Sequence, residues 1–149
     1  MTEMRARMES AQHILYRVLT KEYGAKQTGM QIHDNKIRLD VKCEKDLTSI
    51  PKEDFELKVN KVIAMNLPVT KTTYQRDQVP SDIDVSHIPS HVKNIVIVAI
   101  GDFDVQPCGN EHVNNTSEIG EYHILDIKRN GKDIYRFEGT VTDSSAIMK

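Results

Sequence analysis

A chain of 149 residues and 17.0 kDa is close to the roughly 150 residues of one average domain, enough to bury on the order of 70% of its unfolded surface without disulfide staples. Charged residues make up 28% and hydrophobic ones 38%, with a mean hydropathy of -0.50, values of a soluble globular domain and not of a disordered or membrane-embedded one. A net charge of -2 excludes coating of nucleic acid by bulk charge and leaves only a local basic face, since residues 1–80 carry an excess of three positive charges and residues 81–149 an excess of five negative ones.

The first segment, Thr2 to about Tyr23, reads as a helix: Met4, Met8, Ala11, Leu15 and Val18 recur at helical spacing, and Gly24 stands where a helix ends. Gln27 to Ile32 and Lys36 to Lys42 read as strands joined by the turn formers His33-Asp34-Asn35. In the second, Ile37, Leu39 and Val41 alternate with polar residues, so one face is buried. Pro51 opens a helix expected to reach Asn66, with Phe55, Val59, Val62 and Ile63 inward. Val69 to Gln75 suits an exposed strand, and Arg76 to Ser90, with Pro80 and Pro89, is the most loop-like stretch. Ile95 to Ile100 is an apolar run expected to be buried on both faces and ended by Gly101. Tyr122 to Arg129 and Lys132 to Glu138 form a hairpin about Asn130-Gly131, and the tail after Gly139 is expected to fray.

No repeat, low-complexity tract or Gly/Ser linker interrupts the chain, so residues 1–149 are expected to form a single domain. Helices and strands do not alternate strictly. The expected fold is therefore α+β, with a largely antiparallel β-sheet and helices packed on one side. No apolar run approaches the roughly 20 residues of a membrane span, the N-terminus has no signal-peptide pattern, and Cys43 and Cys108 do not make a secreted disulfide framework. A cytoplasmic location is expected.

Two short constellations carry the chemistry. Glu9 and His13 stand one helical turn apart and share a face. Two readings are open: a water-facing row of Arg5, Glu9, His13 and Arg17 held by i,i+4 pairs, or half of a metal site. Cys108 and His112, separated by three residues after the acidic turn Gly101-Asp102-Phe103-Asp104, can reach one divalent metal, although a structural cysteine beside a surface histidine gives the same spacing. Together the four side chains make an N/S/O set suited to zinc (Zn2+).

The segment Arg7-Met8-Glu9-Ser10-Ala11-Gln12-His13-Ile14-Leu15 resembles the helix that carries the H-x-x-x-H motif of the alanyl-tRNA editing family, and Cys108-Gly109-Asn110-Glu111-His112 resembles its C-x-x-x-H motif. That family comprises free-standing AlaX-type proteins and the editing domain of alanyl-tRNA synthetase, with the threonyl-tRNA synthetase editing domain as a relative. The flanking blocks are similar too: Gln27-Thr28-Gly29-Met30, Ile37 to Asp40, Val92 to Val105 and Asn115 to Gly120. The resemblance spans roughly Arg7 to Ile127 and fits the short form of the family. It implies a zinc-dependent trans-editing hydrolase that cleaves the ester joining a wrong amino acid, serine or glycine, to the alanine-specific tRNA.

By that resemblance His13, Cys108 and His112 hold zinc, and Gln27 and Thr28 face the editing pocket in a polar role, binding the aminoacyl moiety or positioning water. The rival reading makes Gln27 and Thr28 ordinary exposed strand residues and Met30 core filling. Glu9 departs from the family by standing where its first histidine does. Three outcomes are open: Glu9 coordinates and brings the ligand charge from -1 to -2, it leaves the metal three protein ligands, or the site is degenerate and the chain only binds tRNA, or metal without RNA. Arg5, Arg7, Arg17 and Lys21 of the first helix are the candidates for contacting tRNA. His33, His87, His91 and His123 have no partner pattern and are assigned to loops and surface.

Overall fold

A computed structural model describes residues 4–33, 35–86 and 88–143; Thr2, Asp34, His87 and the tail from residue 144 lie outside them. Helix α1 (Met4–Tyr23) buries the expected stripe, Met8, Ala11, Leu15 and Val18, and also Ile14 and Leu19. Gly24 takes the left-handed φ of 71°, and the amides of Gly24 and Ala25 donate back to the carbonyls of Thr20 and Leu19, which closes the helix. Strands β1 (Lys26–Ile32) and β2 (Ile37–Lys42) form an antiparallel pair in which Thr28 is the extra residue of a bulge between Gln27 and Gly29.

Pro51 precedes helix α2 (Lys52–Ile63), whose Phe55, Val59, Val62 and Ile63 face inward. The helix stops short of the expected Asn66 because that residue adopts a left-handed φ of 55° ahead of Pro68. Strands β3 (Val69–Gln75), β4 (Asn94–Ile100) and β5 (Asp104–Pro107) form one antiparallel sheet; β6 (Glu121–Arg129) and β7 (Ile134–Thr142) join β1 and β2 in another, ordered β1-β2-β7-β6. The fold is the expected α+β arrangement, with its antiparallel strands divided between two sheets.

The larger sheet turns Leu39, Val41, Tyr135, Phe137, Tyr122 and Ile124 into the core, where Phe55 of α2 meets Phe137 edge to face at 5.3 Å. Gly139 lies under Tyr122; a Cβ there would stand 2.5 Å from the tyrosine hydroxyl. The β4 run is largely buried as expected, with Val96 and Ala99 half-buried. Two further boundaries need correction. Lys132 and Asp133 belong to the hairpin turn, where Asp133 is left-handed at φ 61°. The expected fraying does not begin at Gly139: Thr140, Val141 and Thr142 continue β7 by pairing with His123, Tyr122 and Glu121, and the rest of that tail lies outside the described residues. Among the described residues no helix is long and apolar enough to cross a membrane.

Candidate metal centre

Helix α1 touches β1, β2 and β7 of one sheet and β5 of the other, so its second face is covered around Glu9 and His13. Glu9 and His13 are only 1% and 3% exposed. The water-facing row of Arg5, Glu9, His13 and Arg17 is thereby overturned: Arg5 is exposed, but Arg17 bends inward to a buried carboxylate. Facing this helix, β5 ends in the turn that carries Cys108. The Cys108 amide donates to the Val96 carbonyl at 2.9 Å, continuing the β4–β5 ladder to the cysteine itself. The Val113 amide donates to Ser10 Oγ at 3.1 Å, which pins the segment after His112 against α1.

Glu9, His13, Cys108 and His112 thus meet, each offering a donor atom, all within 4.8 Å of one another. His13 Nε2 lies 3.9 Å from Glu9 Oε1, Cys108 Sγ lies 4.0 Å from the same oxygen, and His112 Nε2 lies 3.4 Å from Cys108 Sγ. The His13 and His112 rings cross at 76° with centroids 4.5 Å apart. A tetrahedron with zinc–nitrogen and zinc–oxygen bonds of about 2.0–2.2 Å and one zinc–sulfur bond of about 2.3 Å has edges of about 3.3–3.6 Å, so the pairs at 3.4–4.0 Å stand at or within a few tenths of an ångström of it. A second observation fits a cation: Glu9 Oε2 is buried and has no hydrogen-bond partner. A carboxylate buried beside a thiol needs a positive charge to offset its desolvation, and the donor set suits zinc.

The protonation pattern separates the two imidazoles. Burial alone would lower His13, but the Asp104 carboxylate and Cys108 outweigh it and raise its pKa to about 9. His112 is pushed down to about 3 by burial first and then by positive charge at His13 and Lys71. Burial alone would raise Asp104, yet His13, Gln106 and Arg17 hold it below the usual carboxylate range.

Beside the donors opens a cleft of about 570 Å³, with Gln12, Tyr16, Gln27 and Met30 among the residues that line it. Gln27 Oε1 accepts from Gln12 Nε2 at 3.2 Å, tying β1 to α1 at the cleft wall. Thr28, the exposed bulge residue, does not line this cleft. Met30 does both things at once: half-buried against the core, it also forms cleft wall. Of the α1 cations, Arg5 is exposed, and Lys21 lies 5.5 Å over the Phe103 ring. Arg7 donates to the Ile119 carbonyl at 3.0 Å and reaches Asp143 at 3.4 Å. Arg17 donates to Asp104 at 2.7 Å. His33 and His91 are exposed, and His123 sits 2.9 Å from the Thr142 hydroxyl and 3.3 Å from Glu121.

Sequence reasoning passed over Ser10, Gln12 and Asp104. Ser10 and Gln12 are polar residues within a helical segment that proves wholly buried, and Asp104 stood only as part of an acidic turn.

Residues 95–138, from β4 into β7 and including Cys108 and His112, match the threonyl and alanyl tRNA synthetase second additional domain. The chain is 37% identical to the alanyl-tRNA editing protein AlaX-L of Pyrococcus horikoshii over 136 residues, which are 89% of this chain and 33% of that protein. It is 31% identical to the alanine–tRNA ligase of Francisella philomiragia over 141 residues, 93% of this chain and 16% of the ligase. The corresponding ligase of Francisella tularensis subsp. holarctica is 29% identical over 139 residues, again 16% of its length. The chain spans a third or less of these relatives, while the similarity covers most of the chain itself. The resemblance seen in the two motifs is thus borne out.

Proposed function

We propose that this chain is a zinc-dependent trans-editing hydrolase that cleaves the aminoacyl ester of alanine-specific tRNA mischarged with serine or glycine, acting as one domain in the cytoplasm. The observation that carries this reading is the set of buried Glu9 and His13 with half-buried Cys108 and His112 beside a cleft, in a chain similar to an alanyl-tRNA editing protein over most of its length.

His13, Cys108 and His112 would hold the ion, with Glu9 as a fourth, weaker ligand. When bound, zinc supplies Lewis acidity for activating water or orienting the substrate's amino group. Gln12 and Gln27 present a polar wall that holds the aminoacyl moiety; Thr28, outside the lining of the cleft, is given no part in it. A site that hydrogen-bonds a substrate hydroxyl rejects the analogue lacking it, because its own polar groups are then left unpaired; serine over alanine is the discrimination this chemistry favours. For tRNA, Arg5 and Lys21 are the α1 cations we assign to phosphate contact, since Arg7 and Arg17 have partners within the protein.

Purified protein incubated with zinc should deacylate seryl- or glycyl-tRNA, both on the alanine-specific tRNA, faster than alanyl-tRNA. One observation favours a second reading. Glu9 in place of a histidine adds negative charge and lowers the metal's Lewis acidity, which suits a tRNA-binding module without turnover. Retarded migration of uncharged tRNA with no deacylation of any of the three substrates would select it.

A further inference from the structure

Each of the two candidate imidazole ligands has its Nδ1 facing a fully buried polar side chain. Ser10 Oγ lies 3.0 Å from His112 Nδ1, and Asp104 Oδ2 lies 3.5 Å from His13 Nδ1. On the far side of each ring, Nε2 points into the donor cluster, at Cys108 for His112 and at Glu9 for His13. We propose that Ser10 and Asp104 are positioning residues: they receive the Nδ1 protons of His112 and His13 and so turn both Nε2 atoms toward one shared metal ion. The inference rests on the metal-binding part of the function proposed above.

An imidazole that coordinates through Nε2 must carry its proton on Nδ1, and a partner at Nδ1 fixes both tautomer and ring orientation. Asp104 is built as such a partner. Its side chain is 0% exposed, and its oxygens are already oriented from behind: Oδ1 accepts from Arg17 Nε at 2.7 Å and Oδ2 from Gln106 Nε2 at 2.7 Å. Those donors hold the carboxylate with one oxygen toward His13. His13 Nδ1 has no hydrogen bond in this structure, and Asp104 Oδ2 is the acceptor it faces. Ser10 is likewise fixed, because the Val113 amide donates to its oxygen at 3.1 Å and leaves the other lone pair toward His112.

The rival account is that both side chains only tie β5 and its following loop to α1. The two accounts diverge for Asp104→Asn, which keeps the shape. The single carbonyl of an asparagine is claimed by Arg17, so its amide N–H₂ turns toward His13. That favours the tautomer with the proton on Nε2, which cannot coordinate. Ser10→Ala removes the partner of His112 and the acceptor of the Val113 amide, and leaves His13 its own partner.

The test is zinc affinity, read by competition with a chromophoric chelator for the wild type, Asp104→Asn and Ser10→Ala, with melting of the metal-free forms alongside. Each variant should bind zinc about 10–100-fold more weakly, whatever its melting temperature, and variants within about twofold of the wild type would overturn the inference. A ¹⁵N correlation spectrum of the zinc-loaded wild type gives an answer that needs no variant to fold. It should show both His13 and His112 protonated at Nδ1 and bound through Nε2; either ring bound through Nδ1 overturns the assignment. Wild-type protein that takes up no zinc would defeat the metal reading and this inference together, an outcome distinct from zinc bound equally by all three proteins.

Discussion

Cys108 Sγ lies 4.0 Å from Glu9 Oε1, a thiol and a carboxylate brought together from the end of one strand and the middle of a buried helix. Neither group gains from the other when ionised, and Glu9 Oε2 has no partner at all. Such a pairing is a cost in the metal-free fold and an asset once a cation joins it. Glu9→Gln should therefore weaken zinc and, above pH 9, where His13 3.9 Å away no longer carries a positive charge, raise the melting temperature of the metal-free protein. A calorimetric scan at that pH with and without zinc checks both signs, and a Gln variant that is less stable there without metal would contradict the account.

The other donors should respond in a graded way. His13→Ala and Cys108→Ala should each abolish stoichiometric zinc together with deacylation. Glu9→Ala should cost less than either, and Glu9→His, which restores the family pattern, should keep or raise affinity. Metal analysis of the purified variants decides this; a wild type holding well under one equivalent, beside a Glu9→His variant that holds a full one, would mean that Glu9 has replaced a ligand without serving as one.

The two imidazoles give the metal-free protein opposite pH slopes. His13, raised from 6.5 to about 9, contributes stability that is full below pH 6.5 and is lost as pH climbs through 9. His112, lowered to about 3, stays neutral in the fold while its unfolded counterpart takes up a proton, so stability falls as pH drops from 6.5 toward 3. These two groups alone place a stability maximum near pH 6.5. Urea midpoints of chelator-treated protein across that range test it, and a monotonic trend through pH 6.5 would contradict the assignment.

For tRNA, replacing Arg5 and Lys21 together should weaken binding and flatten the logarithmic salt dependence by roughly one unit per lost phosphate contact. Arg17→Ala should act through Asp104 instead, reducing zinc affinity with the salt slope intact. Titrations of uncharged tRNA at several salt concentrations separate the two effects; an unchanged slope for the Arg5/Lys21 variant would place the RNA on another face.

Within the core, Gly139→Ala should destabilise by about 1–3 kcal/mol, the usual range for overpacking, because the new Cβ would stand 2.5 Å from the Tyr122 hydroxyl. Denaturant unfolding measures it, and a neutral result would mean that the Tyr122 ring moves freely at this contact.

Much of this was legible before any coordinates. The stripe on α1, the glycine that ends it, the alternation of β2 and the pairing of Glu9/His13 with Cys108/His112 are all local patterns that the fold keeps. The burial of Glu9 was not legible. Helical periodicity defines a dry face and its opposite, but nothing local says that β5 and its loop cover the second face. For the same reason Asp104 read as one acid in a turn: its meaning lies in His13 and Arg17, which reach it from a distant helix. The division of the strands into two sheets, and the continuation of β7 through Thr142, depend on partners far along the chain. Propensity and turn chemistry do not encode those pairings.

The central claim is that the Glu9/His13/Cys108/His112 set serves the hydrolysis of mischarged tRNA. It is tested most directly by a deacylation time course with seryl-, glycyl- and alanyl-charged forms of the alanine-specific tRNA, run side by side with zinc for the wild type and Cys108→Ala. The account predicts that the wild type clears the seryl or glycyl ester faster than the alanyl ester and that Cys108→Ala leaves all three at the rate without enzyme. Wild-type protein that leaves all three at that rate, or that prefers the alanyl ester, would contradict it.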